Sequence, residues 1–554
     1  MKKILSGLLI LLLALSVAGC AGGAANAATT QAPASGTASL AEPTAEPAAQ
    51  ATPEPEKTID TVIIGTTMEV LSANRSEYNF DVLSGTLSQL APVWIDESGE
   101  YRPLLCDYAT GDSRIWTLTV REGMTWHDGE PVTAEDIRFT LEYLDAQLGG
   151  GYADAYAAIR VTGERTIELE LDAPNPRLLA SLTTLRILPK HIYDGVADYT
   201  TVENERANIG CGPYRYVRFD AAAGVVEFAA YAAYPDGRPA AEHVLLQLFD
   251  SEDTMYMALK AGQIDMVYKY SGGVNPAVIA DLEACADLTL LPVANTANSA
   301  VLIFNNSVEP FTNAAIRKAI AKAIDYAAFR TTFGSAYAVA SRAGFVPEGS
   351  YGYVETPVLE RDVDEAKQLL QEAGCADLDG DGVLEYNGAR LSIPVMLRGD
   401  KPAHQRYAEL VKNNLAEVGI EITLDVREVA DFRELTEKER AQSAVITGLT
   451  PYGMSMQQGL SSLYLWGEYP MGYGQVYDPA YRALLDRADD AADMDAYRAV
   501  AGEIQNYYAE TLPAIALFWD AHVQAYQSRF DGFVVDGTFG ILNVQTWMRL
   551  TENG

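Results

Sequence analysis

The chain has 554 residues, 48% of them hydrophobic, and carries 40 basic against 76 acidic side chains for a formal net charge of -36. That length exceeds what one hydrophobic core organises, so at least two domains are expected. The negative balance excludes nucleic acid and anionic lipid as surfaces the protein attracts, and it reads as a solvated acidic exterior.

Lys2 and Lys3 precede an apolar run from Ile4 to Val17. This is the pattern of a signal peptide and is too short to span a membrane. Val17-Ala18-Gly19-Cys20 reads as a lipobox. Its resemblance to bacterial lipoproteins implies removal of residues 1–19 and diacylglycerol on Cys20. Residues 20–57 are then the lipidated cysteine and a tether of Ala, Thr, Pro, Glu, Gly and Ser, a composition that buries no core. Such a coil reaches on the order of 30 Å, and the folded protein is expected to start near Thr58. Cys106, Cys211, Cys285 and Cys375 are widely spaced without a C-x-x-C, which suggests neither a zinc site nor a thioredoxin-like motif. Disulfides and buried thiols both stay open.

Ile59 to Thr66 has the apolar, β-branched character of a first strand. Leu83, Leu87 and Leu90 follow at helical spacing, then a hairpin pattern around VWIDESGEYRPLL. Trp116, Leu118 and Val120 alternate as a strand, and His127-Asp128-Gly129 forms a tight polar turn. Thr133 is the expected N-cap of a helix, with Glu135 and Asp136 at the positive end of its dipole. Ile137, Leu141, Leu144 and Leu148 share one buried face of that helix. His127 and Asp128 have no nucleophile nearby, so a turn role is preferred over acid–base chemistry.

Through Trp116, Arg121, Gly123, His127, Asp128, Gly129, Pro131, Thr133, Ala134 and Asp136 the chain closely resembles family 5 of the bacterial extracellular solute-binding proteins. These are the receptors that feed peptide and nickel ABC importers. The resemblance continues through Leu188-Pro189-Lys190-His191-Ile192-Tyr193, through Gly210-Cys211-Gly212-Pro213-Tyr214 with Cys211 where Thr is usual, and through Ala258 to Asp265. It covers residue 58 to the end. It implies an α/β, two-lobed, periplasmic-binding-protein-like fold with a hinge and an interlobe ligand cleft. Residues 58–297 and 518–554 would form lobe I and residues 298–517 lobe II. The implied function is capture of an extracytoplasmic solute, oligopeptide foremost, and its delivery to the transmembrane subunits of an ABC permease. The implied protein is a lipid-anchored monomer on the outer face of the cell membrane, not an enzyme, with no cofactor and no nucleic-acid partner. The family places Met68 and Glu69 at the cleft rim as candidate ligand contacts, although a solvated carboxylate is the other reading of Glu69. Gly210 and Gly212 are expected to supply φ angles that other residues avoid.

Ile167, Leu169 and Leu171 alternate as a further strand, and Ser299 to Asn305 resembles the family's first strand of lobe II. Helices are expected from Pro310, with Ile316, Ile320, Ala323 and Ile324 on one face, over Asp364 to Ala373, and from Tyr407 to Val418, followed by a strand at Ile420 to Val426. Asp377, Asp379, Asp381 and Gly382 open like an EF-hand loop, but position 12 is Gly388, so calcium is disfavoured and no metal site is assigned. Residues 444–465 contain no acidic side chain, where peptide receptors of the family carry an Asp for the ligand's amine. Tyr452, Met454, Tyr464 and Trp466 are candidate contacts there, with a core role equally open. No G-x-S-x-G, H-E-x-x-H or Walker A pattern occurs. Five scattered His disfavour direct metal capture. A receptor for a nickel chelate and a ligand sensor for signalling are the alternative functions.

Overall fold

The computed structural model describes residues 59–270, 273–346, 353–449 and 472–553. Cys20, Tyr452, Met454, Tyr464 and Trp466 lie outside them. The first strand, β1 (Ile59–Thr66), buries Val62 and Ile64 completely. It runs parallel to Ala241–Leu248 on one side and Met266–Val267 on the other. A strand paired on both edges leaves no open backbone edge, and its Val62 and Ile64 side chains fill the core.

β1 belongs to a ten-stranded mixed sheet built about two long neighbouring strands, Leu288–Phe304 and Ala514–Gln527. At one end Val301 to Phe304 pair with Ala444 to Thr447, and the strands Ser392–Arg398 and Glu421–Arg427 extend that half to the edge. At the other end Met266–Val267 pairs with Ala525 and Tyr526 and leads to β1 and the Tyr214–Asp220 edge. The two long strands pair over Leu288–Val293 and again over Asn298–Ile303, with a register shift between Val293 and Asn298. A separate strand beginning at Ser299 is therefore not found. The stretch Asn295 to Asn298 conceals a continuous strand, because pairing with the same neighbour on both sides of the irregularity keeps the backbone extended where apolar alternation fails.

Each half has its own core. Ile316, Ile320, Val395, Val411, Ile515 and Leu517 belong to one, while β1 packs with Phe80, Phe228, Ile541 and Trp547 in the other. The helix Val363–Glu372 falls where the spacing places it, whereas the helix expected from Pro310 begins at Ala314 and ends before Ile324, and the one expected over Tyr407 to Val418 runs from Pro402 to Ala416. The helix Glu252–Lys260 ends just before Gly262, and the next strand begins at Met266.

A four-stranded antiparallel sheet carries Ile115–Val120 between Cys106–Thr110 and Thr166–Glu170. Trp116, Leu118 and Val120 pack there against Ile137 and Leu141 of helix α2 (Ala134–Leu148). Thr133 is the N-cap of α2, as expected, and Asp136 at the third helical position faces back to it. Asp136 Oδ2 accepts the Thr133 N–H at 2.8 Å and the Thr133 hydroxyl at 2.9 Å, while Oδ1 accepts the Lys190 N–H at 2.9 Å. The carboxylate thus ties both donors of Thr133 to the first turn and joins α2 to the segment that follows Pro189. Cys106, Cys211, Cys285 and Cys375 are unbonded thiols.

Candidate ligand-binding site

The loop that leaves β1 is held by its own backbone. The Met68 N–H donates to Thr66 Oγ1 at 3.1 Å, and Asn79 of helix α1 (Tyr78–Ser84) donates its side-chain amide to the Glu69 carbonyl at 2.7 Å. The Met68 side chain is half-buried against the β1 core, whereas Glu69 is exposed. Leu71 and Tyr78 are 75% and 50% exposed, so this loop and the start of α1 offer apolar surface to solvent. Glu77 caps α1, accepting from the Asn79 and Phe80 N–H groups at 3.2 and 2.9 Å. Burial raises its carboxyl, those two bonds oppose the rise, and Glu69 and Asp81 add to it.

Behind α1 lies a group of charges that face one another without touching. Arg186 is 8% exposed, and its Cζ stands 4.7 Å over the Phe539 ring. It makes no hydrogen bond or ion pair with any described residue. Burial pushes its guanidinium down, and the Coulomb attraction of Asp81 and Asp536 opposes this. Burial likewise raises Asp81, against the pull of Arg75 and Arg186. Asp536 is pushed up to about 6 by burial, although its Oδ1 accepts the Thr538 and Phe539 N–H groups at 2.6 and 2.8 Å and Arg186 attracts it. Arg75 is 7% exposed, with Nη1 buried and unpartnered.

Arg186, Asp536, Phe539, Trp94, Thr183 and Asn543 help line a concave space of about 330 Å³ including its open mouth. Asn543 spends its amide hydrogens on the Val534 and Gly540 carbonyls. Arg186 is thus the cation of this space. Sequence reasoning missed it, although a lone charge within Leu182 to Leu188 was the available signal.

His127 and Asp128 are separated in function. His127 Nδ1 accepts the Gly210 N–H at 3.2 Å, and Nε2 lies 3.0 Å from the Gly212 carbonyl oxygen, which fixes the tautomer with hydrogen on Nε2. Burial holds this imidazole down at about 4, with the Gly212 bond acting against it. Asp128 instead meets His191 Nε2 at 2.7 Å. Gly210 and Gly212 have ordinary φ values, contrary to expectation. They are required for close approach, since a Cβ would lie 1.9 Å from the Ser88 oxygen at Gly210 and 2.4 Å from the Leu87 oxygen at Gly212.

Two further groups involve charge. Arg177 Nη2 donates to Asp489 Oδ1 at 2.6 Å, with its Cζ 5.1 Å over the Tyr497 ring. Nearby, Ser113 Oγ donates to the Ala492 carbonyl at 2.5 Å, and Arg498 pairs with Glu100. Asp377, Asp379 and Asp381 are exposed and bring carboxylate oxygens within 4.8 Å of one another. Asp377 accepts the Gly380 and Gly382 N–H groups at 2.7 and 3.1 Å, Asp381 accepts that of Val383 at 2.9 Å, and Arg390 covers Asp381. The loop thus uses these carboxylates to close its own turn.

Two α/β halves joined by long shared strands, with apolar and charged groups at the end of β1, define a two-lobed solute-binding protein. The model of the bacterial extracellular solute-binding proteins, family 5 Middle, matches residues 100–470, and the chain belongs to this family. These proteins are extracytoplasmic binding components of ABC importers and not enzymes. Among the described residues no helix is long and apolar enough to cross a membrane.

The oligopeptide-binding protein AppA of Bacillus subtilis is 22% identical over 457 residues, covering 78% of this chain and 80% of that protein. Its structure in complex with a nonapeptide matches with a TM-score of 0.66 at 19% identity, over 90% of this chain and 100% of that one. HbpA2 from Haemophilus parasuis gives a TM-score of 0.76 at 19% identity, over 89% and 100% of the two chains. NikA from Brucella suis in complex with Fe(III)-EDTA gives 0.74 at 18% identity, again over 89% and 100%.

Proposed function

We propose that the protein captures oligopeptides outside the cytoplasmic membrane by closing two lobes and delivers them to an ABC permease. The observation that carries the choice of peptide is the likeness to an oligopeptide-binding protein over 80% of that protein's length. Lobe I comprises residues 58–297 and 518–554, and lobe II residues 298–517. The register shift between Val293 and Asn298 supports a hinge there, since irregular pairing is the softer part of a strand. Met68 and Glu69 contact the peptide from lobe I, and Tyr452, Met454, Tyr464 and Trp466 from lobe II. The exposed position of Glu69 and of neighbouring Leu71 supports the first pair. The protein acts as a monomer, cleaved before Cys20, lipidated there and tethered through residues 21–57.

Capture needs no bond chemistry, because affinity comes from desolvating the peptide between the lobes and the permease senses the closed state. A metal chelate as solute is the second reading, favoured by the likeness to a protein holding Fe(III)-EDTA. Thermal denaturation of the full-length protein in the presence of peptide mixtures, or of nickel–histidine and iron–EDTA chelates, separates the two. A rise in melting temperature with peptides alone is expected, and a rise with chelates alone would overturn the assignment. Loss of uptake on deletion of the permease, with no persisting signalling response, distinguishes import from sensing.

A further inference from the structure

Two strands, Leu288–Phe304 and Ala514–Gln527, run from one half of the molecule into the other, and their pairing lapses on the way. Val293 pairs with His522 and Asn298 with Asp520, so the stretch Ala294 to Ala297 faces Ala521 alone. On the lobe II side of the proposed division, Asp520 is buried and accepts the Ser335 N–H at 2.7 Å and the Ser335 hydroxyl at 2.5 Å. The Trp519 carbonyl accepts the Val339 N–H at 2.9 Å. On the lobe I side, the Val523 carbonyl accepts the Val274 N–H at 2.8 Å, and His522 lies so close to Gly273 that a Cβ there would stand 2.5 Å from its Cδ2. Ala521 is left between the two grips. Rotation of one lobe against the other is thereby confined to Ala521 and the irregular stretch opposite it.

The loop that grips Asp520 also reaches lobe I. It follows the helix Tyr326–Phe333, whose Tyr326 and Phe329 belong to the lobe II core. The Tyr337 N–H donates to Ser335 Oγ at 3.0 Å and the Ala338 N–H to the Ser335 carbonyl at 3.2 Å, which closes the loop into a compact turn. From that turn Tyr337 packs against the lobe I core that contains Met255, Leu259, Val523 and Ala525, and its hydroxyl donates to Glu283 Oε1 at 2.6 Å. Glu283 ends the helix Ile279–Glu283, and Ile279 and Leu282 of that helix lie in the same core. Tyr337 and Glu283 are thus anchored to different lobes. Turning the lobes about Ala521 must change the distance between them.

We infer that the loop Ser335–Val339 is a hinge strap, in which the Tyr337–Glu283 contact holds the lobes at the angle of this structure and so acts on capture without touching the solute. This role rests on lobe closure and is the same for a peptide and for a chelate. Tyr337 is a positioning residue, and its loss shifts the balance of open and closed forms for every solute alike.

Small-angle X-ray scattering of unliganded full-length wild type, Tyr337→Phe, Glu283→Ala and the double variant tests the strap, followed by addition of a random tetrapeptide mixture or Fe(III)-EDTA. Tyr337→Phe keeps the ring and removes only the hydroxyl, and Glu283 is exposed, so neither change empties a core. Each single variant should move the open-to-closed ratio toward open on the order of fivefold, and the double variant no further, because both changes remove one contact. Unchanged scattering in the single variants, or shifts that add in the double variant, would overturn the strap. If wild type still compacts with tetrapeptides in that case, lobe closure and peptide capture stand without it. Widening in the variants with compaction by Fe(III)-EDTA alone would support the strap and overturn the peptide reading. Widening in no variant, with compaction by neither solute, would contradict the strap and lobe closure together.

Discussion

Single residues here act chiefly by closing distances between backbones. Gly210 lies so near the Ser88 carbonyl that Gly210→Ala places a Cβ 1.9 Å from that oxygen. Backbone cannot yield as a flexible side chain would, so a loss of about 3 kcal/mol or more in urea unfolding is expected. A loss below about 0.5 kcal/mol would show that the loop moves freely. His127 clamps the same loop in its neutral form. Its pKa of about 4 lies below the ordinary 6.5. Between these values the folded state therefore binds fewer protons than the unfolded chain. The stability this contributes is complete above pH 6.5 and is lost as pH falls toward 4, by at most about 3 kcal/mol. His127→Asn should flatten the fall in stability over that window, whereas an unchanged slope would place the acid sensitivity elsewhere.

At the scale of elements, α2 depends on one carboxylate. Asp136 is 4% exposed and satisfies three donors, among them the Lys190 N–H. Asp136→Ala leaves these half-buried donors without their acceptor, so a loss of about 3 kcal/mol is expected. Hydrogen exchange should quicken at the start of α2 and at Lys190 together, and quickening at α2 alone would refute the joint role. The Arg177–Asp489 pair, stacked on Tyr497, joins segments that the proposed division assigns to different lobes. On that division Arg177→Ala should favour the open form and weaken peptide binding about five- to tenfold, equally for all sequences. Loss confined to particular peptides would instead make Arg177 a ligand contact. The strand, turn and helix from Trp116 to Leu148 were legible in sequence because periodicity and turn chemistry are local. The Asp136 cap reaching Lys190 was not, since its third donor comes from another segment.

For the whole molecule, the sequence motifs pointed to the family and to two α/β halves. They did not reveal that one sheet runs through both. The stretch Asn295 to Asn298 breaks the apolar alternation, yet the strand resumes pairing with the same neighbour beyond it. Arg186 escaped notice for a related reason. Its environment is made by Gly85 and Phe539, which only the folded chain brings to it. Lobe closure about the shared strands turns such scattered groups into a binding surface, and the central claim is that this surface holds peptide. Mass spectrometry of the ligand released on denaturing full-length protein, purified natively from cells grown in peptide-rich medium, tests that claim most directly. The account predicts short peptides in near-stoichiometric amount, and a metal chelate with no peptide would contradict it.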